Sequence, residues 1–484
     1  MKLFEIIKFL QETRLLYKVY NAENLEISMI TDDSRKVVPG SLFVCKGALF
    51  KKEYLEDAIK KGAVCYLADK DFGVNITAVL TRDILKAFAA VSAVFYNFPT
   101  KSIKTVAVTG TKGKTTTAEM LRTVLSVSHS SAAIGTNGVD TTKKLYDNNL
   151  TTPESLYINA YLREACDNDA DFAVLETSAQ AFKMHRTDFL EFHVGVFTNF
   201  GLDHIGPKEH PDEEDYFKCK MKMFSQCRAA VIYGDDDKFH RILPYVSHIP
   251  YLTFGFSDKN DFYATDIKSD GSFIYFTLCS KYLQGEFKLS MLGDFNVLNA
   301  LATIATCFLL GISKEDMALA LQRIFVSGRM EIFKAADRIV IVDYAHNKLS
   351  YERLLNTVKE EFPNRRIVSV FGCPGTKALN RRKDMGELAA KYSDFTVITA
   401  EDPDTEPTEV TMSEIASYLD KTGAEYVKIA DRKEAIEFAV NNSKQGDVVL
   451  ILGKGNEKTM MYDGKFLPHE GDSDIAARVI KNFN

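Results

Sequence analysis

The chain has 484 residues, 46% of them hydrophobic, enough for roughly three domains with full cores. Its net charge of −6 and pI of about 5.9 argue against a nucleic-acid partner, which favours a basic surface. Eight scattered cysteines with no CxxC pair suit free thiols in a reducing cytoplasm better than disulfides or a zinc site, and no apolar run approaches the length of a membrane span, so no membrane insertion is expected.

The N-terminus, MKLFEIIKFLQE, mixes charges into a helical pattern over Leu3–Leu15 and lacks a signal-peptide core. Residues 1–100 form a small α/β domain by pattern. Two strand-like runs flank a Pro39-Gly40 turn in residues 27–47, and a helix and a strand follow in residues 54–69. Asp33-Ser34-Arg35 sits at a strand end, where composition alone leaves it an ordinary polar turn.

Residues 101–328 form the central domain. Val106–Val108 are a short apolar strand, followed by GTKGKTTT (110–117) and a helical pattern from Ala118 to Leu125. Strand, glycine turn, Lys-Thr and helix is the layout of a phosphate-binding loop. Gly110 and Gly113 let backbone N–H groups, with those of Thr111 and Lys112, approach phosphate oxygens. Lys114 reaches the β/γ-phosphates, and a hydroxyl from Thr115 or Thr116 binds Mg²⁺. Only two residues separate the glycines, so the spacing departs from the usual GxxxxGK[ST]. Further strands at Phe172–Leu175, Val194–Thr198 and Ala229–Tyr233 predict a largely parallel sheet with ligands at its carboxyl ends. Polar residues fall there: Glu176, Thr177 and Ser178 after one strand, Asn199, Asp203 and His204 after another. Alternating runs around Asp270-Gly271 predict antiparallel strands on the sheet edge, and a helix spans Asn296–Leu310.

Residues 329–484 restart the alternation as a doubly wound domain. Strands are expected at Ile339–Val342, Ile367–Phe371, Phe395–Thr399, Tyr426–Ile429 and Val448–Leu452, with loops at Asp343, Gly372, Glu401 and Gly453. Gly328-Arg329 lies between the two patterns as a hinge or a connecting loop.

Nine segments in one order carry a resemblance: DDSRKVVPGSLFV, GTKGKTTT, TTPE, ETSAQAF…HR, TNFGLDH, YFKCKMKMF, NVLNALA, GRME and VDYAHN. Together they resemble the Mur ligases of peptidoglycan synthesis, MurE type, from residue 31 to about 457. The Mur loop GTxGKTT accounts for the short glycine spacing. The resemblance implies an α/β chain of three domains: a small UDP-binding domain (1–100), a P-loop ATPase-like domain with a mostly parallel sheet (101–328), and a Rossmann-like domain for the incoming amino acid (329–484). It implies that ATP phosphorylates a carboxylate of UDP-N-acetylmuramoyl-L-alanyl-D-glutamate and that an amino acid's amine captures the acyl phosphate. A cytoplasmic monomer is expected.

Residue roles carry over position by position. Thr115 and Glu176 are expected to hold one Mg²⁺ and His204 a second. From the residues alone, Glu176 is equally a solvated strand-end carboxylate and His204 a hydrogen-bonded loop histidine. Lys220, flanked by Lys218 and Lys222, is either part of a solvated basic face or the family lysine that CO₂ converts to a carbamate Mg²⁺ ligand. Lys114, Lys220 and His204 form the expected catalytic set. Asn299 is expected at adenine, and Arg329, Asp343 and His346 at the nucleotide. Ser34 is expected at the UDP end, and Thr151, Thr152, Ser178 and Arg186 at the muramoyl-dipeptide, Arg186 as partner of a carboxylate.

The third amino acid is where the pattern departs. Diaminopimelate enzymes of the family show Asp-Asn-Pro-Arg. The aligned residues here are Glu401, Asp402, Pro403 and Asp404. Asp404 repels a distal carboxylate and attracts an ammonium, and Glu406 brings the loop to four carboxylates. Lys377 aligns with the family arginine for the α-carboxylate, with Arg382 close by, and Gly453 and Glu457 match positions for backbone groups. L-Lysine or L-ornithine is therefore expected over meso-diaminopimelate. A folylpolyglutamate-synthase-like ligase and a non-catalytic nucleotide-binding relative are the competing readings. The Asp-Ser-Arg and Thr-Thr-Pro-Glu segments oppose the first, and Lys114, Thr115, Glu176, His204 and Lys220 together oppose the second.

Overall fold

Alternation of apolar residues in the first hundred positions builds a five-stranded sheet in the order Leu16–Tyr20, Thr77–Thr81, Ala63–Ala68, Ser41–Val44, Met29–Thr31. The first pair is antiparallel and the others parallel. One face, with Leu42, Val44, Cys65 and Leu67, packs on the helices Leu3–Glu12 and Ile84–Phe95. The other, with Phe43, Tyr66, Ala68 and Ala78, packs on Leu55 and Ala58 of Lys52–Lys60. That period of two is what a sheet covered on both faces requires. The first helix ends at Glu12, short of the expected Leu15. Thr13 Oγ1 donates to the Phe9 carbonyl at 2.7 Å and Arg14 turns left-handed at φ +60°, which stops the helix.

The computed structural model describes residues 1–148, 150–201, 206 and 209–483. Contacts divide the chain into two units. One holds Met1–Tyr263, Cys279–Leu283 and Asn299–Ala320, and the other Ala264–Leu278, Gln284–Leu298 and Leu321–Asn484.

The first unit carries a second sheet in the order Tyr251–Gly255, Cys227–Tyr233, Phe192–Phe197, Lys104–Thr109, Phe172–Glu176, Ser131–Gly135, all parallel. Gly138–Asp140 and Leu145–Tyr146 add two antiparallel edge strands. Lys104–Thr109 comes first in the chain but lies centrally, with Val106 opposite both Val174 and Val194. The strand order reverses there, and ligands bind at such a point. The run after Phe262 begins parallel to Tyr251–Gly255, with Phe262 opposite Phe254. In the second unit Ile274–Cys279 and Gly285–Leu289 are antiparallel as expected.

The second unit contains a six-stranded sheet in the order Glu331–Ala335, Arg338–Asp343, Val448–Leu452, Ile367–Phe371, Phe395–Ile398, Tyr426–Lys428. Only the first pair is antiparallel. Its edge strand Glu331–Ala335 escapes the sequence pattern because its turn, Ala336-Asp337, is left-handed without glycine or asparagine. A hairpin, Thr459–Tyr462 with Lys465–Pro468, follows the last parallel strand. Arg432 and Asp472, both buried, pair at 2.6 Å, and Arg432 also donates to the carbonyls of Ala400 and Leu452. A buried pair of this kind costs about 3–5 kcal/mol when one partner is removed, so it fixes the carboxyl ends of two strands where Glu401 and Gly453 begin.

Candidate functional site

The phosphate-loop sequence leaves the carboxyl end of Lys104–Thr109 and enters the helix Lys114–Leu125. That helix starts four residues before the apolar pattern suggested, because Lys114–Thr117 form its first turn. Gly113 caps it at φ +82°, and a Cβ there would collide with Asn299 Oδ1. The two neighbouring strand ends hold the loop. Thr198 Oγ1 donates to the Lys112 carbonyl at 2.5 Å. The Lys112 N–H donates to Asn199 Oδ1 at 2.9 Å and the Thr111 N–H to the Asn199 carbonyl at 3.0 Å. Lys114 Nζ reaches back to the carbonyls of Gly110 and Thr111, both at 3.1 Å. The ammonium is therefore poised over the loop.

Glu176 is buried rather than solvated. Its carboxylate accepts from Thr115 Oγ1 at 2.9 Å and from the Thr136 N–H and hydroxyl at 2.9 and 3.1 Å. Lys220, on the helix Glu213–Met221, is only 1% exposed. It does not belong to a solvated basic face: its Nζ donates to the Gly110 carbonyl at 2.7 Å and lies 4.5 Å from the Tyr216 ring centre. Lys218 points outward to Glu214. A buried amine against the first loop carbonyl brings Lys220 together with Lys114, Thr115 and Glu176. Asp203 and His204 lie outside the described residues. Asn299 sits beside the loop, where Thr117 Oγ1 donates to its Oδ1 at 3.2 Å.

A polar chain runs from this site toward the N-terminal sheet. Thr152 Oγ1 donates to the Glu176 carbonyl at 2.9 Å and accepts from the Ser178 N–H at 3.0 Å. Arg186 donates to the Thr152 carbonyl at 3.0 Å and pairs with Glu154 at 2.9 Å. Lys46 bridges Glu154 to Asp32. Thr151 meets Thr136 at 3.2 Å. Thr151, Thr152, Ser178 and Arg186 are thus gathered around Glu176. Ser34 opens a short helical turn at the end of Met29–Thr31, where its carbonyl accepts from Lys61. Asp33 is held near pKa 2 by its hydrogen bonds with Arg35. Thr136, Glu154 and Lys46 escaped the sequence reading. Glu154 ends the Thr-Thr-Pro-Glu segment, which was the available signal. His210, Asp215 and Cys219 also converge, but Asp215 already pairs with Lys183 at 2.9 Å and His210 at 2.7 Å.

In the second unit, the Asp343 carboxylate accepts from the N–H groups of Met330 and Ala345 at 2.7 and 2.8 Å. Arg329 stacks 4.3 Å over the Tyr344 ring, and His346 Nδ1 lies 2.7 Å from the Tyr344 carbonyl. Arg329, Asp343 and His346 are therefore neighbours. The acidic loop differs from a free cluster of four carboxylates. Asp402 pairs with Lys454 at 2.9 Å. Asp404 accepts from Thr376 Oγ1 and the Gly464 N–H at 2.9 and 2.8 Å. Glu406 pairs with Arg382 and accepts from Thr411. Arg382 is buried and spent on Glu406, Glu414 and the carbonyls of Pro374 and Gly375, so it shapes the loop. Lys377 is exposed. Glu401 is buried with Oε2 unpaired, and a Cβ on Gly453 would collide with that oxygen. Burial raises its pKa to about 7, against the opposing pull of Arg432 and Lys454. A cleft of about 980 Å³ lined by Lys334, Arg338 and Arg365 lies at the other end of Arg338–Asp343 from these residues.

Strand-end loop, buried carboxylate–hydroxyl pair and doubly wound second sheet define a nucleotide-dependent group-transfer protein. Residues 108–307 match the Mur ligase middle domain and residues 328–455 the Mur ligase glutamate ligase domain. A UDP-N-acetylmuramoyl-L-alanyl-D-glutamate–L-lysine ligase of Streptococcus agalactiae is 36% identical across 96% of this chain and 94% of its own length. A UDP-N-acetylmuramoyl-L-alanyl-D-glutamate–2,6-diaminopimelate ligase of Clostridioides difficile is 36% identical across 98% and 99%. A solved 2,6-diaminopimelate ligase shares the fold with a TM-score of 0.68 at 24% identity, over 96% of this chain and 97% of that one. The chain belongs to the Mur ligase family, ATP-dependent ligases that form peptide bonds. No helix among the described residues is long and apolar enough to cross a membrane.

The buried Glu401 makes stability pH-dependent. Its folded pKa lies above the ordinary carboxyl value of 4.5, so the folded state holds the proton longer and stability falls as pH rises from about 4.5 to about 7. Glu401→Gln removes this loss, on the order of 3 kcal/mol. Urea midpoints should show the variant gaining on the parent between pH 5 and pH 8. Parallel midpoints across that range would refute the assignment.

Proposed function

We propose that this chain adds the third amino acid, L-lysine by preference, to UDP-N-acetylmuramoyl-L-alanyl-D-glutamate in the cytoplasm, working as a monomer. Residues 1–100 would bind the UDP end at Ser34, residues 101–328 ATP, and residues 329–484 the amino acid. The observation that carries the reading is the buried Thr115–Glu176 contact at the loop, with Arg186 and Thr152 leading from it toward the N-terminal sheet.

Two hard oxygen donors 2.9 Å apart suit Mg²⁺, so Thr115 and Glu176 would hold one ion, with His204 and a carbamate on Lys220 serving a second. Bound Mg²⁺ supplies positive charge against the β- and γ-phosphates. Lys114 would add a positive charge and the loop N–H groups would orient the phosphates. Asn299 would meet adenine, and Arg329, Asp343 and His346 the nucleotide. Arg186 would hold a substrate carboxylate while Thr152 and Ser178 fix the dipeptide. The reacting carboxylate takes the γ-phosphoryl group, ADP leaves, and the amine of the incoming amino acid displaces phosphate as the amide forms. Lys220 is buried at the loop carbonyl, so its amine is shielded from bulk water at the place a carbamate oxygen would serve.

The preference for lysine rests on the loop Glu401–Glu406. It has no basic residue where diaminopimelate enzymes of the family carry arginine, and Asp404 stands there instead. Gly453 and Glu457 would meet the amino acid's backbone groups, with Lys377 at its carboxylate. L-Ornithine fits the same chemistry. The diaminopimelate reading is favoured by the similarity to the Clostridioides difficile ligase across nearly its full length.

ADP release in the presence of UDP-dipeptide should give kcat/KM for L-lysine at least about tenfold above meso-diaminopimelate, since a repelled, desolvated charge costs more than 1.4 kcal/mol. A higher value for meso-diaminopimelate would overturn the preference. Lys220→Ala should lose nearly all turnover and regain part of it with added short carboxylic acids. Full activity in that variant would refute the carbamate role.

A further inference from the structure

Glu457, the acidic residue of GKGNEK (453–458), is held from both sides by groups to which the sequence assigns no role. Its Oε2 pairs with Lys454 Nζ at 2.5 Å, and its Oε1 accepts from the Tyr344 hydroxyl at 2.9 Å. Lys454 is 1% exposed and bonds on its other side to Asp402 Oδ1 at 2.9 Å. Asp402 in turn accepts from the Met461 N–H at 3.0 Å, which anchors it to the hairpin. The Tyr344 ring carries the Arg329 guanidinium on its face, and Arg329 donates to the Gly328 carbonyl at 3.0 Å. Gly455, at φ +56°, passes so close that a Cβ would lie 2.8 Å from the Gly328 carbonyl and 3.3 Å from Tyr344 Cβ. The loop and the segment Gly328–Arg329 therefore lock backbone to backbone.

We infer that Lys454 and Tyr344 are positioning residues for the incoming amino acid, aiming the Glu457 carboxylate at its ammonium. The inference rests on reading GKGNEK as the amino-acid loop. One buried cation faces two carboxylates, so the trio keeps a net charge of −1 to meet that ammonium. Each Glu457 oxygen uses one lone pair on a protein donor and keeps a second for a ligand. Burial pulls the Lys454 ammonium toward losing its proton, and Glu457 and Asp402 more than offset this. Glu401, Arg329 and Arg432 bear on the group at longer range, and the His346 ring packs edge-on against Tyr344. Without the Lys454 ammonium between them, Asp402 and Glu457 would repel and Glu457 would lose the contact that fixes its direction. The Tyr344 hydroxyl alone separates two effects, because a phenylalanine keeps the ring under Arg329 and loses only the donor to Glu457.

The test is steady-state ADP release with UDP-dipeptide, ATP and L-lysine for wild type, Tyr344→Phe, Lys454→Met and Lys454→Arg. Loss of a hydrogen bond to a charged group predicts that Tyr344→Phe raises the lysine KM about tenfold while the ATP KM stays within about twofold. Lys454→Met should likewise raise the lysine KM while the ATP KM stays within about twofold, and Lys454→Arg should restore it. If Lys454→Met fails to fold, Tyr344→Phe decides alone. A wild type without amino-acid-dependent ADP release overturns the ligase reading and this inference with it. A wild type that turns over, with an unchanged lysine KM in Tyr344→Phe, overturns this inference alone.

Discussion

The hydrogen bond between Thr115 and Glu176 joins the first turn of the loop helix to the end of the next strand in the sheet. Both groups are buried, and an unpaired carboxylate there would be costly. The loop must therefore sit where that carboxylate can be satisfied. Thr198 and Asn199 fix its opposite side from the other neighbouring strand. A central strand with a neighbour on each side supplies both anchors at once, and the order reversal at Lys104–Thr109 makes this possible. The glycines allow the close approach, but the flanking strand ends decide where the loop points.

From that anchor the polar chain through Thr152, Arg186, Glu154 and Lys46 reaches Asp32 beside the Asp-Ser-Arg turn. Segments far apart in sequence thus meet through charged and hydroxyl groups, beside the apolar contacts of Leu156 and Phe189 with the N-terminal core. Surface ion pairs contribute little to stability, so a chain of partly buried ones is better understood as orientation for a ligand. The second unit uses the same device more tightly. There Asp402, Lys454, Glu457 and Tyr344 form one bonded series, Glu406 is paired with Arg382, and Asp404 accepts from the uncharged Thr376 hydroxyl and Gly464 N–H. That leaves Glu401 as the carboxylate with an unpaired buried oxygen.

Much of this was legible in the sequence because the signals are local. An apolar strand, a glycine turn, Lys-Thr and a helix announce the phosphate loop without tertiary information, and the parallel strands of both large sheets declare themselves as apolar runs. What escaped depends on partners distant in the chain. Lys218, Lys220 and Lys222 look alike by composition; the resemblance picks out Lys220, and the contact that turns it inward to Gly110 is visible only in the fold. Four acids within six residues look like one negative patch, until Arg382, Lys454 and Gly464 claim three of them. Ala336-Asp337 makes a tight turn without the usual residues, and Arg14 ends a helix whose apolar pattern continues to Leu15.

The central claim is that the site moves a phosphoryl group from ATP onto a carboxylate before any amide forms. It is tested most directly by labelling that carboxylate of the UDP-dipeptide with ¹⁸O and examining the phosphate released during turnover with L-lysine. Transfer through an acyl phosphate predicts one ¹⁸O atom in each phosphate formed, matched to the amide produced. Unlabelled phosphate alongside amide formation would show that the carboxylate was never phosphorylated, and the account of the loop, Glu176 and Lys220 as one machine would fail.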